Sequence, residues 1–264
     1  MIKPGEEWGR PASSAPDIEV VGGDPDLAAA VAGHAGVLVR FRPDATSDLA
    51  GAVGLDRAVD LGVELDLDLL RLHDAQPPAV NMPVAVNMPV AVNMPVAVNM
   101  PVAVNMPVAV NMPVAVNMPV AVNMPVAVNM IVIGRPPDAL GPWVRCFGAN
   151  VAIDGKPVFH GPCTTIVVAT GQFRHGLDVV PRGHPGDGRA EVQIYAVPRR
   201  QRRELRNRLS TGTHVPHPRI TQRSGRRVRV SIDRPVSVEI DGRPAPEADR
   251  VDITVVAGAY RLLL

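Results

Sequence analysis

Residues 19–55, EVVGGDPDLAAAVAGHAGVLVRFRPDATSDLAGAVGL, decide how the chain is read. They contain one device twice. The apolar run 18–21 meets Gly22-Gly23-Asp24, and the helix formers of 27–31 follow, which predicts a strand turning sharply into a helix. The second copy has the strand-like run 37–41, the loop Arg42-Pro43-Asp44-Ala45-Thr46-Ser47-Asp48, and the helix-like run 49–53. Turns of this kind make anion sites. N–H groups at a helix start carry partial positive charge, and glycine lets a phosphate approach the backbone closely.

The paired pattern resembles the diacylglycerol kinase family of lipid kinases, which shares its nucleotide site with the NAD kinases. In that family a Gly-Gly-Asp-Gly-Thr loop is followed by a second strand and a loop of the form Pro-Leu-Gly-Thr-x-Asn-Asp. Gly22, Gly23 and Asp24 match the first loop, with Pro25 and Asp26 where the family has Gly-Thr. In the second loop Asp48 matches, Ser47 replaces Asn, and Asp44-Ala45 replace Gly-Thr. The resemblance implies that Gly22, Gly23, Asp24 and Asp48 lie near the phosphates of ATP. The substitutions oppose it: Pro25 has no N–H to offer, and Asp26 and Asp44 add negative charge where a polyanion would sit. The family also opens with a strand-loop-helix segment carrying Asn-Pro-x-(Ser/Ala)-Gly. That segment is not found among these 264 residues, so the resemblance implies a nucleotide domain shortened at its start.

With 46% apolar residues the chain can bury one or two cores, and with aromatics at 3% those cores must be built of Val, Leu, Ile and Ala. The formal charge of +1 conceals an asymmetry. Residues 1–76 carry 6 basic and 14 acidic side chains, residues 77–130 none, and residues 131–264 carry 21 basic and 12 acidic. The two ends are expected to attract each other, and the basic end can also face an anionic partner such as a membrane or nucleic acid. Cys146 and Cys163 are too few for a disulfide framework and lack metal-site spacing, so they read as small buried apolar residues of a reduced, cytosolic chain. Residues 1–15 hold charge, Pro and Gly instead of a signal peptide's apolar core, and a proline at every sixth position of the repeat described below opposes a spanning helix. The expected location is cytoplasmic, at most peripheral to a membrane.

Residues 1–16 read as a disordered arm. Within 17–76, residues 63–72 alternate, with Val63, Leu65, Leu67 and Leu69 on one face of a strand and Glu64, Asp66 and Asp68 on the other. Three carboxylates so spaced suggest a cation site, but a half-buried strand with a solvated face explains them better and is the expectation. Residues 77–130 then repeat Pro-Val-Ala-Val-Asn-Met nine times, with one deviation at Pro78. Hexads can build a β-helix, but these lack a turn glycine, and each Pro holds the preceding Met extended and removes a ladder donor. Deleting whole hexads leaves Ala-Val-Asn-Met-Ile-Val-Ile-Gly, which is similar to the lipid kinase strand Phe-x-Asn-x-(Ala/Ser)-x-x-Gly. The repeat therefore reads as tandem expansion of half a core strand, either without a role of its own or as a self-associating segment.

Residues 131–264 are strand-rich with frequent turn signals, which predicts a β-sandwich domain. Candidate strands are 143–153, 164–170, 190–197, 227–232, 235–240 and 250–256, with Asp154-Gly155 as a hairpin turn between the first of them and residues 157–159. The order of Ala169-Thr170-Gly171, Arg174-His175-Gly176, Val180-Pro181, Asp187-Gly188 and Asp241-Gly242-Arg243 is similar to the motif order of the lipid kinases. The resemblance implies that Asp187 helps hold a structural magnesium. It also places Asp241 beside the acidic residue that takes the proton from the lipid hydroxyl, but that position is Arg243, which cannot accept one. Asp187 and Asp241 are also ordinary turn aspartates, and one carboxylate is a thin ligand set for magnesium. His175, His184, His214 and His217 have no compact ligand spacing and read as exposed loop histidines. In residues 199–208, RRQRRELRNR, the side chains of Arg199, Arg200, Arg202, Arg203, Arg206 and Arg208 suit anionic headgroups. Nucleic acid is the weaker partner, because stacking aromatics are scarce nearby.

The expected architecture is α/β plus β: a remnant of a nucleotide-binding α/β domain (17–76), a hexapeptide repeat insertion (77–130) and a β-sandwich domain (131–264). Two functions stay open. As a lipid kinase the protein would transfer the γ-phosphoryl group of ATP, with magnesium, to a lipid hydroxyl. The degenerate loops and Arg243 equally suit a catalytically inactive pseudokinase that binds lipid, membrane or protein. No feature assigns an oligomeric state.

Overall fold

A computed structural model describes residues 9–55, 62–73 and 125–264. By internal packing the chain divides into two units, and the one made of residues 1–78 and 124–264 contains every described residue. Of the repeat, only the last copy, residues 125–130, falls inside the described residues, so the expectations for residues 77–124 lie outside them. The elements run β1 (Arg10–Pro11), β2 (Ile18–Gly22), α1 (Asp24–Val31), β3 (Leu38–Pro43), α2 (Asp48–Val53), β4 (Val63–His73), β5 (Val126–Ala127) and β6 (Met130–Gly134). They continue with β7 (Phe147–Ile153), β8 (Lys156–Cys163), β9 (Thr165–Ala169), β10 (Phe173–Arg174), β11 (Leu177–Asp178), β12 (Ala190–Tyr195), α3 (Arg202–Asn207), β13 (Ile220–Gly225), β14 (Arg227–Ile240) and β15 (Arg243–Leu263).

Both expected strand-loop-helix turns form. β2, α1 and β3 make a parallel unit, and the C-terminal end of β15 adds to it in parallel, with Arg261 opposite Leu38. The two helices bury Leu27, Val31, Leu49 and Val53 against Val39, Phe41, Leu65 and Leu67. Leu262 and Leu264 from the end of the chain complete this core, as do Val126 and Val128 of the last hexad.

The rest of the described chain is mostly sheet. β6, β9, β12 and β13 form an antiparallel run, and β8, β7, β14 and β15 another, joined where the second half of β14 pairs with β6. The alternating Ile131, Ile133, Ile166, Val168, Val192 and Ile194 meet Val151, Val228, Val230 and Ile253 in one apolar core. β15 spans both regions: its first part pairs with β14 and its later part with β4, the register shifting between Val256 and Tyr260. Asp154-Gly155 takes the left-handed conformation of the expected hairpin turn (φ 50° and 78°), as does Asp241-Gly242 (φ 45° and 79°).

Several expectations need correction. Residues 227–232 and 235–240 belong to one strand, because Pro235 falls where the pairing with β15 shifts register and no ladder donor is needed. Residues 143–146 precede the strand expected from 143, the hairpin partner expected over 157–159 extends as β8 to Cys163, and β13, whose Gly and charged residues hid it, is a strand. The acidic side of β4 is not solvated: Asp66 is exposed, but Glu64 and Asp68 are buried. Glu64 accepts hydrogen bonds from Ser13 N–H and Oγ and pairs with Arg261, while Asp68 accepts Gly188 and Gly258 N–H at 2.6 and 3.0 Å. Arg10–Pro11 pairs with β4 as well, so residues 9–16 of the arm are tied down.

Cys163 is buried, and burial pushes its thiol up to about 12, but Cys146 is exposed. His214 is buried too, its Nε2 at 3.0 Å from the Val179 carbonyl, and burial pulls its pKa down to about 4. Among the six arginines expected on the surface, Arg202 turns inward and is 1% exposed. Its Nε donates to Val197 O (3.0 Å), Nη1 to Gly141 O and Val144 O (3.2 and 2.7 Å), and Nη2 lies 3.4 Å from Cys146 Sγ. Replacing Arg202 by Met leaves buried carbonyls without donors, at a cost of about 2–4 kcal/mol. Urea unfolding followed by circular dichroism should therefore show a clear loss of stability for Arg202→Met, and a change within about 0.5 kcal/mol for the exposed neighbour in Arg203→Met.

Candidate functional site

The two strand-loop-helix turns lie side by side and wall a cleft of about 810 Å³. Gly23, Asp24 and Asp26 line it from the first turn, and Asp44, Thr46, Ser47 and Asp48 from the second. Phe173, His175 and Gly176 close another side, and the Asp241-Gly242-Arg243 turn the remaining one. Sequence reasoning named Gly23, Asp24, Asp48 and Asp241 as site residues, and all four are here. Gly22, the fifth, is not among the residues that line the cleft.

The glycines serve the approach of one part of the loops to another. A Cβ on Gly22 (φ +143°) would stand 2.4 Å from Asp26 Oδ2, and one on Gly23 would stand 2.6 Å from Thr46 Oγ1. Pro25 falls in the first turn of α1, where a missing N–H costs nothing.

Carboxylates occupy the loop amides. Asp26 accepts Gly23 N–H (2.9 Å). Asp24, 3% exposed, accepts Ser47 Oγ–H (2.5 Å) and the N–H groups of Asp48 and Leu49 (3.2 and 3.1 Å), so it caps α2 from across the cleft floor. Asp44 accepts Thr46 N–H (2.7 Å). Asp48 accepts the N–H groups of His175 and Gly176 (2.7 and 2.9 Å), clamping the β10–β11 turn onto α2. Asp241 accepts three consecutive N–H groups, Val128, Asn129 and Met130, at 2.8, 3.1 and 2.8 Å.

The last hexad thus builds the seat of Asp241, a partnership the sequence reading did not foresee. The recurring Asn of the hexad was a signal: Asn129 Nδ2 donates to Phe173 O, its carbonyl accepts Thr170 and Gly171 N–H, and its side-chain oxygen is buried close to Gly171. A second unforeseen pair is Arg243 with Asp26, 2.9 Å apart at the cleft mouth. The Gly23 N–H, followed by that pairing, holds the Asp26 carboxyl below its usual range.

Asp187 lies elsewhere, in an exposed turn where its Oδ1 accepts Arg189 N–H at 2.9 Å. Its charge, after burial, helps raise the pKa of Asp68. Among the described residues no cluster of three or more His, Cys, Asp or Glu could hold a metal ion. No described helix is long and apolar enough to cross a membrane.

A β-α-β turn pair and a sheet-rich second half around such a cleft define the fold of diacylglycerol kinases. Structures of a candidate diacylglycerol kinase from Bacillus anthracis str. Sterne superpose with TM-scores of 0.61 and 0.60 at 10% and 11% identity. The first match covers 100% of this chain and 84% of that one, the second 94% and 78%. A further structure of a diacylglycerol kinase from the same organism gives 0.58 at 10% identity, over 94% of this chain and 76% of that one. No curated protein sequence matches the chain significantly. Residues 143–264 match the family described as the YegS C-terminal NAD kinase beta sandwich-like domain. Residues 143–264 thus carry a domain of that family, and the described fold is the one seen in the diacylglycerol kinase structures.

Burial pushes the Asp24 carboxyl up to about 6, with the Asp48 charge adding to it, and burial followed by the Asp24 charge pushes Asp241 up to about 7. A carboxyl with a raised folded pKa contributes stability that is fully present below its unfolded value, about 3.9, and is lost as pH rises through the folded value. Between about pH 4 and pH 7 these two groups therefore lower stability as pH rises. In Asp24→Asn one of them is gone. Denaturant titrations at several pH values should show the stability of wild type relative to Asp24→Asn falling by up to ~3 kcal/mol from pH 4 to pH 8. A constant difference would refute the shifted carboxyl.

Proposed function

We propose that the protein is a binding protein built on the diacylglycerol kinase frame, a pseudokinase that does not transfer phosphate. The observation that carries this reading is the fate of the loop amides. The donors that a strand-to-helix turn would offer a phosphate are held by Asp24, Asp26 and Asp44. Five aspartates line the cleft, and the arginine that lines it is already paired with Asp26. A carboxylate on each helix start also offsets the helix dipole that would favour an anion. The residues present do not fit the triphosphate of ATP, and Arg243 stands where the resembled kinases carry their proton acceptor. Asp187, with its carboxylate in a turn of its own, does not fit a magnesium cage either.

A second reading has one observation in its favour. Asp241 lines the cleft with a pKa pushed up to about 7, the range a general base needs. In that reading the protein is an ATP-dependent lipid kinase, Asp241 takes the proton from a lipid hydroxyl, and Gly22, Gly23, Asp24 and Asp48 border the nucleotide. The base would have to act while seated on three backbone amides.

The two readings separate in one assay. Full-length protein is incubated with labelled ATP, magnesium and vesicles containing diacylglycerol, and ATP-magnesium is titrated into it by calorimetry. The expected outcome is no labelled phosphatidic acid above a no-protein control, and no measurable heat of nucleotide binding. Labelled product that disappears in Asp241→Asn would overturn the pseudokinase reading in favour of the kinase.

A further inference from the structure

Trp143 is 83% exposed, which sets it apart in a chain whose cores hold nearly every large apolar side chain described. It sits in the loop of residues 141–146, next to the exposed Arg145. The buried Arg202 guanidinium binds the Gly141 and Val144 carbonyls and approaches Cys146 Sγ, fastening that loop to α3. Beneath both, Leu205 and Leu209 pack with Leu140 in one apolar cluster, and Val144 packs against it. Loop and helix are therefore one rigid surface.

On this surface Arg199, Arg200, Arg203, Arg206 and Arg208 are exposed. Glu204 is the acid within the run, and it pairs with Arg208. Arg145, Arg199, Arg200, Arg203 and Arg206 form no ion pair with another described residue, so their charge is open to an external anion. A rigid patch of open guanidinium groups beside one exposed indole has the chemistry of a bilayer contact. Arginines are drawn to anionic headgroups, and the amphipathic indole settles at the headgroup level.

We propose that the surface formed by the loop 141–146 and α3 docks onto an anionic lipid bilayer, with Trp143 entering the headgroup region. Single-stranded nucleic acid suits it less well, because binding along a strand needs a series of stacking platforms and the patch has one. The inference concerns a surface apart from the cleft and stands whether or not phosphate is transferred.

The test is sedimentation of full-length protein with phosphatidylcholine vesicles, with or without phosphatidylserine. Binding should require phosphatidylserine and weaken as salt is raised. Arg203→Glu combined with Arg206→Glu should weaken it at least about tenfold, and Trp143→Ala by about fivefold. Arg250→Glu, an exposed charge reversal on β15, controls for net charge and should bind like wild type. The chain has two tryptophans, so in Trp8→Phe the emission of Trp143 alone should shift to the blue on adding phosphatidylserine vesicles. The substituted arginines and Trp143 are exposed, and circular dichroism checks that each variant folds. The proposal falls if wild type does not sediment with phosphatidylserine vesicles, or if the double variant sediments as well as wild type. It falls equally if the patch variants lose affinity for RNA or DNA while vesicle binding is unaffected.

Discussion

Carboxylates that accept backbone N–H groups from distant parts of the chain hold the loop ends of this fold in place. Asp24 joins the first turn to α2, Asp48 joins α2 to the β10–β11 turn, Asp241 joins the β14–β15 turn to the last hexad, and Asp68 joins β4 to residues 188 and 258. A carboxylate taken out of water is costly unless its oxygens are hydrogen-bonded, and charge-assisted bonds of this kind contribute about 1.5–3 kcal/mol each. The amides gain as much, because a buried N–H without a partner is costly in turn. Each clamp thus settles two liabilities at once, and the loops around the cleft become rigid by consuming the donors that a ligand would need.

The clamps converge on β15. This strand leaves the Asp241 turn, runs beside β14, bulges near Gly258 where Asp68 takes an amide, and ends between β3 and β4. Tyr260, fully buried on its last part, has its hydroxyl pushed far above the usual range by burial and by the charges of Asp24, Asp241 and Asp68. Three carboxylates from three segments thus act on one phenol. The cleft floor and the sheet behind it are in this way parts of a single electrostatic assembly, in which the protonation of one member alters the others.

Much of this was legible in the residues. The Gly22-Gly23-Asp24 and Ser47-Asp48 turns announced themselves by apolar runs ending in cap residues, and the Asp-Gly pairs at 154 and 241 announced hairpins, because these signals are local. What stayed hidden depends on partners far away in the chain. Alternation in β4 predicted a wet face, yet Glu64 and Asp68 are dry because Ser13, Arg261, Gly188 and Gly258 come to meet them. The arginine run gave no hint that Arg202 alone turns inward, since its acceptors are carbonyls, which every residue carries. For the same reason Asp26 and Arg243, 217 positions apart, could be read one by one as losses of function but not as a pair.

The seat of Asp241 has an evolutionary consequence. The three amides that hold it belong to Val128, Asn129 and Met130, the end of a hexad that stands upstream in eight further copies, and only the final one runs on into β6. Slippage during replication that adds or removes whole hexads before Pro125 therefore leaves every residue of the cleft wall unchanged. Copy number can thus change in the gene while the sequence that seats Asp241 stays the same.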